Sequence, residues 1–312
     1  MYADKKLKDA GAKASKEGQT GLALRLLRKW RSNMEVLLTW RPGKRDLAEL
    51  FLIASTLPLY YLVRGSAQQR VGEAFARSID LIKLEKGLGI FWEADLQSRV
   101  VSYGWLVQFL NGFYLYGHLP VIGALALWLY FWHRPQYLLM RNAFLLSGAI
   151  GLIVYVSFPV APPRFLPEWG FVDTVLDQYN TGRPLTPSFF VNEYAAMPSL
   201  HFGWNLLAGV AIWQASRHIG IRAFAVLMPL AMLTDIILTA NHYFLDAAAG
   251  LLVVSLGASI AVGVRWAVMR YLSRNGTAAR GKGWPAWLCW LCGVADPWER
   301  PQARVGQGTP AA

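Results

Sequence analysis

Two histidines carry the chemistry this sequence can do. His201 closes the run Met197-Pro198-Ser199-Leu200-His201, and His242 opens the run His242-Tyr243-Phe244-Leu245-Asp246. A histidine followed four residues later by an aspartate shares one helix face with it. The carboxylate can then hold one ring nitrogen and leave the other free to attack. Paired with a second histidine able to give and take a proton, this arrangement is suited to phosphoryl transfer through a covalent intermediate.

The elements that position these residues are apolar. The 312-residue chain is 54% hydrophobic and only 16% charged, too greasy for an ordinary soluble domain. It reads as an all-α, polytopic membrane helix bundle. Each span should approach the ~20 residues that cross the hydrocarbon core. Six candidates run approximately from Leu47 to Val63, Tyr103 or Leu119 to Trp132, Tyr137 to Val160, Ser199 to Ala215, Ile219 to Ala240 and Tyr243 to Met269. His118 and Pro120 interrupt the second, which can be one bent span or a re-entrant piece followed by a span; the sequence favours the second form. Val71, Phe75, Ile79 and Ile82 give a further amphipathic face over residues 68–86, expected along the outer interface.

The formal net charge of +12 raises the question of nucleic acid. The basic residues collect in the tails and short turns, however, where anionic lipid headgroups explain them. No nucleic-acid partner is expected. The first residues are polar and lysine-rich, unlike a cleavable signal peptide. Residues 1–47 are expected as a basic cytoplasmic tail, 48–270 as the membrane domain and 271–312 as a second cytoplasmic tail. Within the first tail, Ala23, Leu26, Leu27, Trp30, Met34, Leu37 and Leu38 recur at helical spacing opposite Arg25, Arg28 and Lys29. That pattern fits a helix lying on the membrane surface, or equally one that forms only against the bundle. Cys289 and Cys292 have no second pair to complete a zinc site and read as thiols at the membrane surface, without a redox role.

Counting Lys and Arg near the span ends places both tails inside. The 161–198 loop, with Arg164 and Arg183 set against Glu168, Asp173, Asp177 and Glu193, falls outside, as does the turn from Thr239 to Tyr243. His201 and His242 then lie at the same outer face of a multi-pass cell membrane protein. His118, His133 and His218 read as interfacial residues.

These residues are similar to the motifs of a known family. Met197-Pro198-Ser199-Leu200-His201 and His242-x-x-x-Asp246, preceded by Ala161-Pro162-Pro163-Arg164, resemble the type 2 phosphatidic acid phosphatase superfamily, and within it the inositol phosphorylceramide synthase-like branch. The resemblance covers roughly residues 48–270. Leu200 replaces the glycine of the family's Pro-Ser-Gly-His motif, and Asp235-Ile236 stands where Ser-Arg opens its third motif. The first motif, Lys-x6-Arg-Pro, is absent, since no lysine occurs between Lys86 and Lys282. The synthase-like branch tolerates these departures and carries a Pro-Pro element like the one here.

The resemblance implies His242 as nucleophile, Asp246 as its supporting carboxylate and His201 as acid and then base, with no metal or other cofactor. Ser199 and nearby backbone N–H groups would meet phosphate oxygens at a helix N-terminus. Arg164 and Arg183, the arginines between Arg141 and Arg217, are candidate phosphate clamps; Arg164 could instead anchor the loop to headgroups. Asn241 is a further candidate for contact with substrate. Asp235, Thr239 and His242 follow i, i+4, i+7 spacing, so Asp235 either supports the site through Thr239 or makes a packing hydrogen bond. A zinc site on His201, His242 and Asp246 is the rival chemistry, short of a third convincing ligand.

The expected reaction moves a substituted phosphoryl group, such as inositol phosphate from phosphatidylinositol, to a lipid or glycan hydroxyl. The partners are then a phospholipid donor and a lipid or glycan acceptor. The alternative is a phosphatase acting on phosphatidic acid or a polyprenyl phosphate. A transporter would show internal repeats and interrupted helices at the midplane, and a scaffold has no use for the His-Asp pair.

Overall fold

The computed structural model describes residues 31, 33–35, 37–65, 70–175, 194–281 and 286–294. The chain divides into compact units at residues 1–53 and 54–312, and everything bearing on the site lies in the second. The helices are α1 (Lys44–Gly65), α2 (Val71–Leu88), α3 (Glu93–Val100), α4 (Gly104–Trp132), α5 (Arg134–Ser157), α6 (Leu200–Ala215), α7 (Ile219–Leu238), α8 (Phe244–Gly281) and α9 (Ala286–Leu291). Among the described residues there is no strand, only an isolated bridge between Val160 and Ala195. The expected all-α class is borne out. Of these helices α4, α5, α7 and α8 are long and apolar enough to cross a membrane. Their exposed faces carry Leu127, Ile153, Leu227, Leu252 and Trp266, a surface fit for lipid.

α8 packs against α5 and α6, and α6 against α7. Small residues bring these backbones together. Pro229, inside α7, has no N–H to give the Ala225 carbonyl four residues earlier. Gly209 of α6 lies against that oxygen, so close that an added Cβ would sit 2.3 Å from it. At the other end of α6, Gly250 of α8 makes the equivalent approach to the Ser199 carbonyl. α5 begins with Pro135 in its first turn, where a missing N–H costs nothing, and ends just before Phe158-Pro159.

Contrary to the re-entrant expectation, residues 104–132 form one helical run. Its centre, Phe113–Gly117, is a π turn. The wider turn loosens the backbone just ahead of Pro120 and lets the helix continue past a residue that cannot donate.

α2 buries Ala74, Ser78, Leu81, Ile82 and Glu85. Phe75 and Ile79 are partly buried, while Val71 is exposed. Complete burial of a side chain such as Ile82 contributes about 2 kcal/mol. The buried face of α2 carries the loop after α5. Ala161 N–H donates to the Ala74 carbonyl at 3.3 Å, and Ser78 Oγ donates to the Ala161 carbonyl at 2.8 Å. Further along, Gln97 of α3 exchanges hydrogen bonds with the Val172 backbone, and Asn111 of α4 donates to the Thr174 carbonyl. At the opposite end of the bundle Arg141 and Asn142 of α5 donate to the last carbonyls of α9, and Cys289 is buried there against Val268 and Val294.

Candidate active site

Three segments meet at the His242 turn: the start of α6, the turn between α7 and α8, and the loop after α5. Ser199 is the N-cap of α6, its hydroxyl accepting from Phe202 N–H at 3.5 Å. Its own N–H donates to the Asp246 carbonyl at 2.9 Å, tying the two motifs together through the backbone. Ala240 takes a positive φ of 51°, so the chain turns sharply after α7 and delivers His242 to the bundle interior. His201 and His242 come together with ring centroids 5.9 Å apart.

His242 is nearly fully buried. Its Nδ1 lies 2.8 Å from the Ala196 carbonyl and 3.4 Å from Asp246 Oδ2. A carbonyl oxygen can only accept, so Nδ1 bears the proton and Nε2 keeps its lone pair. Nε2 has no hydrogen-bond partner within the protein. The sequence reading gave Asp246 the task of fixing this tautomer, but the nearer partner is a backbone carbonyl. Asp246, fully buried, also accepts from Tyr243 N–H at 3.0 Å.

That bond belongs to a larger cap. The first N–H groups of α8 need acceptors from outside the helix. Phe244 N–H donates to Glu93 Oε1 and Leu245 N–H to Glu85 Oε1, each at 2.9 Å. Burial, together with a hydrogen bond to Glu93 and its charge, pushes the Glu85 carboxyl up to about 9. Glu85 is therefore protonated at neutral pH. Burial and the nearby Asp246 charge likewise raise the Tyr243 phenol far above its usual range.

Arg164 is held beside the His242 turn. Its N–H donates to the Ala240 carbonyl at 2.9 Å, its Nη1 donates to Asn241 Oδ1, and its Nε lies 3.6 Å from Asp173 Oδ1. Asn241 donates in turn to Thr239 Oγ at 2.7 Å, so both of its polar side-chain atoms are engaged. Thr239 Oγ donates to the backbone carbonyl of Asp235, not to its carboxylate, the usual back-bond of a helical threonine. Both carboxylate oxygens of Asp235 are buried without a hydrogen-bond partner, so the expected route from Asp235 through Thr239 is not made by its side chain. Arg183 lies outside the described residues.

The sequence reading missed three neighbours of His201. Tyr114 stacks on its ring at 4.3 Å, His118 lies 4.7 Å from it, and Asn205 donates to its backbone carbonyl at 2.7 Å. His118 is buried in the bundle, not at an interface. A histidine inside an apolar run was the available signal. Among the described residues no group of three or more His, Cys, Asp or Glu side chains is arranged to hold a metal ion.

The family model of the PAP2 superfamily matches residues 79–260, more than half of the chain and all of the site just described, and the chain belongs to that superfamily. It is accordingly a phosphatase or phosphotransferase of lipid phosphates. Comparisons with curated proteins and with solved structures return no match.

Proposed function

We propose that the enzyme is a phosphotransferase of the inositol phosphorylceramide synthase-like kind. It moves a substituted phosphoryl group, such as inositol phosphate from phosphatidylinositol, to a lipid or glycan hydroxyl. The observation that carries this reading is the missing cations. A phosphomonoester brings close to two negative charges, which the phosphatase motifs meet with a lysine and two arginines. Here no lysine stands between Lys86 and Lys282, and Asp235-Ile236 replaces Ser-Arg. Arg164 already shares its guanidinium with Asn241 and Asp173. A phosphodiester carries one charge on the reacting phosphate, which Arg164 and the N-terminal N–H groups of α6 can balance.

In the reaction His242 Nε2 attacks phosphorus while its Nδ1–H stays on the Ala196 carbonyl. The bond to the leaving oxygen breaks, and His201 gives that oxygen its proton. Asp246 stabilises the cationic phosphohistidine. His201 then takes the proton of the acceptor hydroxyl as the second displacement frees His242. Asn241 holds Arg164 in place, and Ser199 caps the helix that carries His201. The topology we favour has six spans, counting α1 and α6, with both tails cytoplasmic and the site open to the outer leaflet. Anionic lipids would meet the basic tails.

The test is a product assay. Purified enzyme incubated with phosphatidylinositol and a lipid alcohol should yield diacylglycerol and a phosphodiester product, with water a poor acceptor. Rapid release of phosphate from phosphatidic acid or a polyprenyl phosphate, with diesters untouched, would make it a phosphatase.

A further inference from the structure

The proposed acid and base, His201, is held by residues that take no part in the displacement as written. The π turn of α4 adds a residue to one helical turn and so rotates the remainder of the helix by on the order of 100° relative to an unbroken one. That stretch presents Tyr114 and His118 to His201. The ring of Tyr114 stacks on the imidazole at a centroid distance of 4.3 Å and an interplanar angle of 27°, and also lies 6.4 Å from the His242 ring. The His118 ring packs at 4.7 Å and 43°. His118 and Asn205 are both buried, so neither exchanges its partner for bulk water.

The hydrogen bonds fix the state of His118. Asn205 Nδ2 donates to the His201 carbonyl at 2.7 Å and lies 3.1 Å from His118 Nδ1. A carbonyl accepts only, which identifies the Asn205 atom as the amide nitrogen. Its second hydrogen must then meet a lone pair on His118 Nδ1, leaving the proton of a neutral His118 on Nε2.

We infer that Tyr114 and His118 are positioning residues for His201, with Asn205 fixing His118 as the neutral Nε2–H tautomer and tying it to the backbone of the residue it orients. Stacking and edge contacts between aromatic rings restrict the imidazole to one rotamer. A tyrosine face also favours the imidazolium, the form that must deliver a proton. Loss of either neighbour lets His201 swing, and a misplacement of about 1 Å lowers a rate by roughly 100-fold. This inference rests on the acid role proposed for His201. The loss should fall on the step in which the P–O bond to the leaving group breaks and the His201 proton passes to the departing oxygen. A leaving group stable as its anion does not need that proton.

The experiment compares two leaving groups in each variant. The diester pair is phosphatidylinositol and the p-nitrophenyl ester of inositol phosphate; the monoester pair is phosphatidic acid and p-nitrophenyl phosphate. The ratio of single-turnover rates within a pair is taken on one preparation, so any misfolded fraction cancels. For His118→Phe and Tyr114→Leu the rate with the alkoxide leaving group should fall by roughly 10- to 100-fold more than with p-nitrophenol. His118→Asn, whose carbonyl can still accept from Asn205, should recover part of the ratio. If His201→Ala changes the ratio and the Tyr114 and His118 variants do not, the inference is overturned while the acid role stands. If His201→Ala itself leaves the ratio unchanged in both pairs, the acid role fails and this inference with it.

Discussion

Replacing Gly250 by alanine should disable the enzyme without unfolding it. The added Cβ would lie 2.3 Å from the Ser199 carbonyl oxygen and 3.1 Å from its carbon. Contacts of this kind settle at roughly 3.5 Å, so the start of α6 must retreat by about 1 Å. Ser199 caps that helix, and its N–H is bonded to the Asp246 carbonyl one turn before Gly250. The shift therefore moves His201 relative to His242. Overpacking costs about 1–3 kcal/mol of stability. A misplacement of this size lowers turnover by roughly 100-fold, or about 2.7 kcal/mol of barrier. Gly209→Ala is the matched control, because its Cβ would meet the Ala225 carbonyl at the same 2.3 Å. That contact lies eight residues beyond His201 along α6, about 12 Å from it. Thermal unfolding and turnover of both variants should be measured in the same detergent, with turnover normalised to folded protein. Comparable destabilisation with a much larger loss of turnover in Gly250→Ala is expected. Equal losses in the two variants, or near-normal turnover in a folded Gly250→Ala, would refute the reasoning.

The same geometry sets three other outcomes. Asp246→Asn should cost about 100- to 1000-fold in turnover, less than His242→Ala, because the Ala196 carbonyl still fixes the tautomer and only the stabilising charge is lost; stopped assays on purified variants read the difference. The Glu85 carboxyl, raised from 4.5 to about 9, binds a proton in the folded state that the unfolded state releases, so its contribution to stability is complete below pH 4.5 and is lost as pH rises towards 9. Glu85→Gln should flatten the fall of the melting temperature across that window; an unchanged profile would show that Glu85 does not hold the proton. Single cysteines placed between Phe165 and Asn192, in a background lacking Cys289 and Cys292, should react with an impermeant thiol reagent on intact cells, and cysteines near His133 should not. Reversed labelling would put the site on the cytoplasmic side.

The residues that proved legible in the sequence were those whose partners lie only a few positions away. His242 and Asp246 are four apart, and although His242 sits in the turn two residues before α8 and not on the helix face the spacing suggested, its Nδ1 still comes within 3.4 Å of Asp246 Oδ2; Ser199 caps α6 and His201 lies in its first turn. The helical class followed from the apolar runs. What escaped depends on contacts made across the fold. The π turn of α4 leaves no mark in a pattern read at 3.6 residues per turn, so Pro120 looked like a break and His118 like an interfacial residue. Glu93 and Glu85 cap N–H groups 151 and 160 residues away, and no local spacing announces such a bond. Asp235 had the right register to reach Thr239, but the hydroxyl found the nearer backbone carbonyl in its own helix. Tautomer control passed from Asp246 to Ala196 for a similar reason, since a backbone carbonyl has no signature in sequence.

The central claim is that His242 becomes covalently phosphorylated. Its most direct test is to mix enzyme with phosphatidylinositol in the absence of acceptor, quench within one turnover in alkali, which preserves a histidine phosphoramidate, and map the adduct by mass spectrometry. The account predicts an inositol phosphate group on His242, absent in His242→Ala and discharged when a lipid alcohol is added. Turnover by a folded His242→Ala, or an adduct on any other residue, would contradict it.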